Sequence, residues 1–197
     1  MKTLIIVESP NKTQAVERYA REVLSGEIVV RACLGHLRDL PVGKLGVDVD
    51  HGFRPEYQVM PSRQKTVEML RAAIRDVDQV ILATDLDREG EAVAWHVTKV
   101  FERELKGKTV SRIRFNAITR QAVQKALAFP LSLDTWRVQS AVARRVLDRL
   151  VGYTLSPKLW SQVKGRDHSA GRVQTIALRF LVEQKPVPDK WLVEVEI

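Results

Sequence analysis

The sequence holds a single cysteine, Cys33, among 197 residues. That excludes an internal disulfide and any zinc site built from several thiolates, and it fits a reducing cytoplasm. No apolar run approaches the ~20 residues needed to span a bilayer. The first apolar run, Leu4 to Val7 after a lone Lys2, is far too short for a signal peptide. No Gly-x-x-x-x-Gly-Lys-Ser/Thr loop is present, so nothing points to ATP. Internal repeats and low-complexity segments are also missing. What remains is ordinary for a soluble globular chain, 45% apolar and 28% charged. The length suits one large domain, or one domain with a subdomain.

Charge is unevenly placed. The net charge is +8; residues 1–110 hold 17 Lys/Arg against 17 Asp/Glu, and residues 111–197 hold 15 against 7. The whole excess falls in the second part. A neutral half with an acidic cluster, joined to a basic half, suggests a metal centre beside a polyanion track. A basic solvated surface with no ligand is the bland alternative.

The acidic cluster is Asp85, Asp87, Glu89 and Glu91, four carboxylates in seven positions. Val80 to Ala83 before it reads as a short buried strand. Ala92 to Leu105 after it reads as a helix, with Val93, Val97, Val100 and Phe101 apolar. The carboxylates therefore lie where a strand gives way to a helix, the edge at which α/β sheets bind ligands. Packed carboxylates repel one another. A divalent cation removes that penalty, and Mg²⁺ favours a few oxygen ligands plus water and phosphate. A charged loop capping a helix would use the same residues, since acids favour a helix N-terminus.

A second junction of the same kind opens the chain. Thr3 to Val7 reads as a strand ending at Glu8-Ser9-Pro10-Asn11-Lys12, with a helix over 13–24. If both strands are parallel neighbours, Glu8 meets the Asp85/Asp87 turn, and Lys12 is a cation near any phosphate bound there. Further strands are expected at Glu27 to Ala32 and Val110 to Phe115. Further helices are expected at 63–75, where Val67, Leu70 and Ile74 share a side, and at 120–129, with Thr119 as N-cap. Gly35 to Pro41, carrying His36, reads as a loop, and 47–59 as irregular. This alternation predicts an α/β fold with a mostly parallel sheet flanked by helices, followed by a helical subdomain.

From Leu133 arginine-rich helices are expected. Asp134 to Val151 carries Arg137, Arg144, Arg145 and Arg149, with Asp148 placed to pair with Arg144 or Arg145. Gly152 to Lys164 reads as a connector. Ser169-Ala170-Gly171-Arg172-Val173-Gln174 opens another helix, over 173–183. A small, polar helix start near an arginine suits phosphate binding and equally suits close packing. Trp191, Val193, Val195 and Ile197 alternate as in a half-buried strand. The chain stops inside it, which suggests a polypeptide cut from something longer or one that pairs elsewhere.

Several of these stretches agree with one family. Leu4 to Lys12 followed by Ala83 to Ala92 resembles the Toprim domain of bacterial type IA DNA topoisomerases. Gly35 to Pro41, Arg114-Phe115-Asn116 with Ile118-Thr119, Ala143 to Tyr153, and Ser169 to Gln174 are similar to later motifs of the same family. The resemblance implies a Toprim domain over 1–130 and part of a helical DNA-groove domain over 131–197. It implies an acidic site of Glu8, Asp85, Asp87 and Glu89 that binds Mg²⁺. Glu8, Lys12 and His36 would be the catalytic residues at the scissile phosphate, and Arg144, Ser169, Arg172 and Gln174 would lie along the path of single-stranded DNA. The implied activity is ATP-independent cleavage and religation of one DNA strand, in a cytoplasmic, nucleoid-associated enzyme with no membrane contact.

One part of the family pattern is missing. The nucleophilic tyrosine of an Ile-Thr-Tyr-x-Arg-like motif has no counterpart among Tyr19, Tyr57 and Tyr153. Two other readings therefore use the same residues: a non-catalytic module that binds single strands or pairs with the remainder of an enzyme, and a Toprim nuclease or primase.

Overall fold

The computed structural model describes residues 1–163 and 168–183. The chain divides into two compact units, Met1–Ala143 and the stretch from Arg144 onward. No helix among the described residues is long and apolar enough to cross a membrane.

The first unit is built on a four-stranded sheet. Its strands are β1 (Lys2–Val7), β2 (Glu27–Ala32), β7 (Gln79–Ala83) and β8 (Thr109–Arg112), in the order β2-β1-β7-β8. Every neighbouring pair is parallel. Leu4, Ile5, Ile6 and Val7 are all fully buried, so β1 is covered on both faces. That is why its sequence is a continuous apolar run rather than an alternating one.

Successive side chains go to opposite faces. Leu4, Ile6, Val80 and Leu82 pack with Val67, Leu70 and Ile74 of α2 (Gln64–Arg75) and with Val93 and Val97 of α3 (Arg88–Val100). Ile5, Val7, Ile81 and Ala83 pack with Val16 and Ala20 of α1 (Thr13–Ala20) and with Val123 and Leu127 of α4 (Arg120–Ala128). Each such fully buried Leu or Ile contributes about 1.5–3 kcal/mol relative to exposure. Thr119 caps α4 through its side chain, as its position in the sequence suggested.

The strand order carries the functional consequence. From β1 the chain moves to β2 on one side, then returns to place β7 and β8 on the other. The reversal lies between β1 and β7. In open α/β sheets such a switch point leaves a crevice at the carboxyl ends of the strands. Val7 pairs with Ala83 there, so Glu8 and Thr84 emerge side by side.

Beyond helix and strand ends that fall short of the expected bounds (α1 stops at Ala20, α3 at Val100 and β8 at Arg112), three segments differ in kind from the sequence reading. The stretch 35–59 is not wholly irregular. It holds two short antiparallel pairs, β3 (Arg38–Asp39) with β6 (Gln58–Val59), and β4 (Val47–Asp48) with β5 (Arg54–Pro55). Two-residue strands are too short to show a period of two in sequence. Helix α3 starts at Arg88 rather than Ala92, so Glu89 and Glu91 belong to its first turn. The third difference is α5 (Thr135–Gln162), which runs straight through Gly152 and Pro157, where a connector was expected. Pro157 removes one helical donor. Ser156 beside it is buried, and its hydroxyl accepts from the Ala170 N–H at 3.1 Å. Tertiary contact outweighs local propensity here. The last helix among the described residues, α6, spans Arg172–Val182. The strand expected at 191–197 lies outside the described residues.

The two-sided core makes a direct prediction. Leu82 is fully buried in the strand that ends at the acidic turn. Leu82→Ala should lower unfolding stability by about 2–5 kcal/mol, read from urea unfolding by circular dichroism. A loss below ~1 kcal/mol would contradict the packing described.

Candidate active site at the carboxyl edge of the sheet

Three chain segments meet at the β1/β7 switch point. After β1, the Ser9 side chain accepts from the Asn11 N–H at 3.4 Å and opens a single 3-10 turn, Pro10–Lys12. This turn brings Lys12 Nζ into an ion pair with Asp85 Oδ1. After β7, Asp87 caps α3, its Oδ1 accepting from the Gly90 N–H at 2.8 Å. After β2, the chain bonds along the end of β1: the Cys33 N–H donates to the Val7 carbonyl and the Leu34 N–H to the Glu8 carbonyl, both at 2.9 Å. It then turns through Leu34 (φ 61°) and Gly35 (φ 82°). These left-handed conformations suit glycine and are strained for leucine. The turn delivers His36, whose Nε2 lies 3.6 Å from Glu89 Oε2.

Glu8, Lys12, His36, Asp85, Asp87 and Glu89 thus share one edge. The electrostatics show how closely the acids sit. Burial pushes the Glu8 carboxyl above its ordinary value, and the Asp85 and Asp87 charges push it further. Lys12 and a backbone hydrogen bond from Asp85 oppose this without cancelling it. Glu8 is therefore the acid on this edge biased to hold a proton. Cys33, next to the site, is buried and free. Burial pushes its thiol up to about 12, which makes it inert as a nucleophile.

The acids are engaged singly. Among the described residues, no three His, Cys, Asp or Glu side chains converge as a ready metal site. Lys12 holds Asp85, Asp87 caps the helix, and Glu89 faces His36. The donor set nevertheless suits a hard cation that keeps several of its own waters: the donors are all carboxylate oxygens gathered on one edge.

Behind the edge lies a layer that the sequence reading missed. Glu91 and Arg112 are both fully buried. Arg112 Nε donates to Glu91 Oε2 at 3.1 Å. Its remaining nitrogens donate to the carbonyls of Leu82 (3.2 Å), Thr84 (2.8 Å), Ile113 (2.6 Å) and Asp85 (2.6 Å). Glu91 also accepts from Arg114 Nη2 at 3.0 Å and from the Asp134 N–H at 2.8 Å. Burial alone would raise Glu91. The hydrogen bonds from Arg114, the Asp134 backbone and Arg112 outweigh it and hold the carboxyl below its ordinary value. Thr84 Oγ1 donates to the Gly90 carbonyl at 2.6 Å, and a Cβ on Gly90 would stand 2.3 Å from the Asp85 carbonyl oxygen. Only glycine lets the turn fold this closely onto the helix. The sequence groups Glu91 with the acidic cluster as its fourth member; in the structure it faces inward and anchors the turn. The available signal was Arg112 and Arg114 within an apolar strand run, since a buried arginine demands a buried acid.

The second unit presents the arginines. Within α5, Arg144 Nε lies 3.8 Å from Asp148 Oδ2. Arg172, at the start of α6, donates from Nε to Asp148 Oδ1 at 3.0 Å. Asp148 therefore gathers the two arginines among the four residues expected along the DNA path, and each keeps an exposed face. Ser169 and Gln174 line an open groove of ≈ 600 Å³ with Leu159, Val163, His168, Ala177, Leu178 and Leu181.

Comparison with known proteins bears on both units. The family described as Toprim domain matches residues 3–118, and the family described as DNA topoisomerase matches residues 132–189. DNA topoisomerase 1 of Treponema pallidum is 44% identical over 199 residues, covering 98% of this chain and 26% of the relative. DNA topoisomerase 1 of Pseudomonas aeruginosa is 39% identical, covering 93% of this chain and 24% of the relative. The solved structure of full-length topoisomerase I from Thermotoga maritima superposes with a TM-score of 0.78 at 39% identity, over 94% of this chain and 31% of that one. The chain thus spans about a quarter of the length of these curated relatives.

Two outcomes follow from the geometry. Arg112→Met leaves Glu91 buried with one of its two guanidinium partners gone and should cost about 3–5 kcal/mol. The pair Arg112→Met with Glu91→Leu should recover part of that loss, measured by denaturant unfolding. If the double variant is no more stable than the single, the buried pair is not the constraint described. Glu8, followed by carboxyl NMR, should titrate above the ordinary glutamate value, and Asp85→Asn should bring it down. The folded state holds this proton more tightly than the unfolded chain does. Glu8 therefore subtracts stability as pH rises from the ordinary value through the raised one. A midpoint at or below the ordinary value would overturn the assignment.

Proposed function

The chain belongs to the bacterial topoisomerase I family, with its Toprim domain in front, and on that premise we propose that it forms the Mg²⁺-binding and DNA-groove portion of a type IA DNA topoisomerase. The observation that carries the reading is the meeting of Glu8, Lys12 and the Asp85–Glu89 turn at the β1/β7 switch point, with Glu8 biased towards its protonated form. The boundary proposed for the Toprim part, near residue 130, lies between the two family matches.

The reaction is transesterification at phosphorus. A tyrosine oxygen bonds to the phosphorus, the bond to the 3′-oxygen breaks, and the 5′-phosphate stays on the protein. Glu8 is placed to give its proton to the departing 3′-oxygen and to take it back on religation. Lys12 supplies positive charge to the phosphoryl oxygens once a phosphate competes with Asp85 for it. His36 borders the same edge from the β2 side. Asp85, Asp87 and Glu89, with Glu8 nearby, would hold Mg²⁺. The ion, when bound, neutralises charge on the phosphate. The phosphotyrosine link conserves the bond energy, so the cycle needs no ATP.

The nucleophile is assigned to residues outside this chain. Tyr19 accepts a hydrogen bond from Arg18, Tyr57 packs among Trp95, His96 and Arg38, and Tyr153 pairs with Arg149 on α5. Each of these side chains is engaged with neighbours within its own unit. Arg144, Ser169, Arg172 and Gln174 are proposed to track the backbone of single-stranded DNA, consistent with the basic second half. Arg144 and Arg172 share the partner Asp148, which lets a phosphate exchange for a carboxylate at those two arginines.

The chain, incubated with an end-labelled single-stranded oligonucleotide and Mg²⁺, should retard it in a gel and form no covalent adduct on denaturation. The logarithm of affinity should fall linearly with the logarithm of salt concentration. Absence of retardation at low salt would sink the groove assignment. A covalent adduct would show that a tyrosine of this chain is the nucleophile. Asp85→Asn with Asp87→Asn should abolish Mg²⁺-induced shifts of the Gly90 amide in NMR while leaving the circular dichroism spectrum unchanged. Persistence of those shifts would place the metal elsewhere. Tight strand binding with no response to Mg²⁺ in the unaltered chain would favour the non-catalytic module.

A further inference from the structure

We infer that Arg38 and His96 are positioning residues that fix the His36 imidazole at the acidic turn. The importance of His36 rests on the function proposed above; the geometry that holds it does not. His36 stands on a loop that leaves β2 through the left-handed pair Leu34 and Gly35. Its imidazole contacts the Glu89 carboxylate at 3.6 Å and, edge to face, the His96 ring at a centroid distance of 5.2 Å and an interplanar angle of 78°. The ring that backs His36 is thus set by whatever fixes His96.

His96 is on α3 and is 3% exposed. Arg38 Nε donates to its Nδ1 at 3.0 Å. A guanidinium has no acceptor, so Nδ1 must be bare and the ring proton must sit on Nε2. Arg38 is itself held. Its guanidinium lies 5.3 Å from the Tyr57 ring centroid and 5.0 Å from that of Trp95, within cation–π range of both. Tyr57 meets the His96 ring at 4.6 Å and 82°. The clamp therefore draws on three pieces of chain: β3 supplies Arg38, the approach to β6 supplies Tyr57, and α3 supplies Trp95 and His96.

Packing alone would not select these residues. Arg38 Nη2 is buried with no hydrogen-bond partner among the described residues, and burial drives the His96 imidazole down to about 3, with Arg38 and His36 adding to the effect. An apolar pair would fill the volume without either desolvation. What the polar pair adds is one ring tautomer in one orientation, and the ring so fixed is the one against which His36 rests.

The test uses the full chain, ¹⁵N-labelled, at pH 7 without DNA or metal. The four histidines can be assigned by substitution. The expected long-range ¹H–¹⁵N spectrum shows His96 as a single Nε2–H tautomer, with cross-relaxation between the His36 and His96 ring protons. Arg38→Met should give a mixture of His96 tautomers and abolish that cross-peak. Arg38→Lys, which keeps one donor, should restore both in part. His96→Asn offers an oxygen in place of Nδ1 without the ring; it should stay folded and broaden the His36 signals. An Nδ1–H tautomer in the unaltered chain would overturn the inference, whatever the variants do. So would His36 signals unmoved in a folded Arg38→Met or His96→Asn chain. Failure to bind single strands, with the tautomer and cross-peak as expected, would remove the proposed function and leave the positioning intact.

Discussion

The structure of the first unit depends on one buried ion pair. Glu91 and Arg112 are both sealed from water, and a charge so placed is tolerated only when its hydrogen-bonding capacity is filled. Arg112 fills its own with Glu91 and with carbonyls from the end of β7 and the turn after it. Glu91 fills its own with Arg112, Arg114 and the first residues leading into α5. Thr84, Asp85, α3, β8 and the entrance to α5 are therefore tied at one point. Arg137 adds a further tie, donating to the Leu86 carbonyl at 2.7 Å. The exposed acids can repel one another without deforming the turn because the turn is held from behind.

That constraint separates two kinds of carboxylate that look alike in sequence. Asp85, Asp87 and Glu89 face outward and have partners that a ligand can displace: a lysine, a helix N-terminus, a histidine. Glu91 faces inward, with partners that nothing from solvent can replace. Glu8 is intermediate, half-buried and beside two acids, and burial together with those acids pushes it towards the neutral form. An acid raised above its ordinary value at a phosphate-binding edge is the arrangement that proton donation to a leaving oxygen requires.

Much of this was legible in the sequence for simple reasons. A strand covered on both faces must be apolar throughout, so β1 and β7 stood out. Amphipathic helices announced α2 and α4, and Thr119 announced its own cap. The meeting of Glu8 with the acidic turn followed from assuming that the two strands are parallel neighbours, which β1 and β7 are. The parts that were not legible depend on distant partners. The continuity of α5 through Pro157 rests on Ser156 reaching Ala170, fourteen residues away. The link between Arg38 and His96 spans 58 positions and the link between Glu91 and Arg112 spans 21. Neither leaves a periodic trace.

The sequence by itself determined the class of fold, the strand–turn–helix junctions, the acidic cluster and the division into a neutral and a basic half. Those are properties of composition and short-range order, which hydrophobic periodicity and turn chemistry encode directly. Only the tertiary structure decided which acid is structural, which is pushed towards its protonated form, and which histidine is buried and which is presented. Each of those outcomes depends on desolvation and on a partner from elsewhere in the chain, and neither exists until the sheet and its helices have closed around the residue.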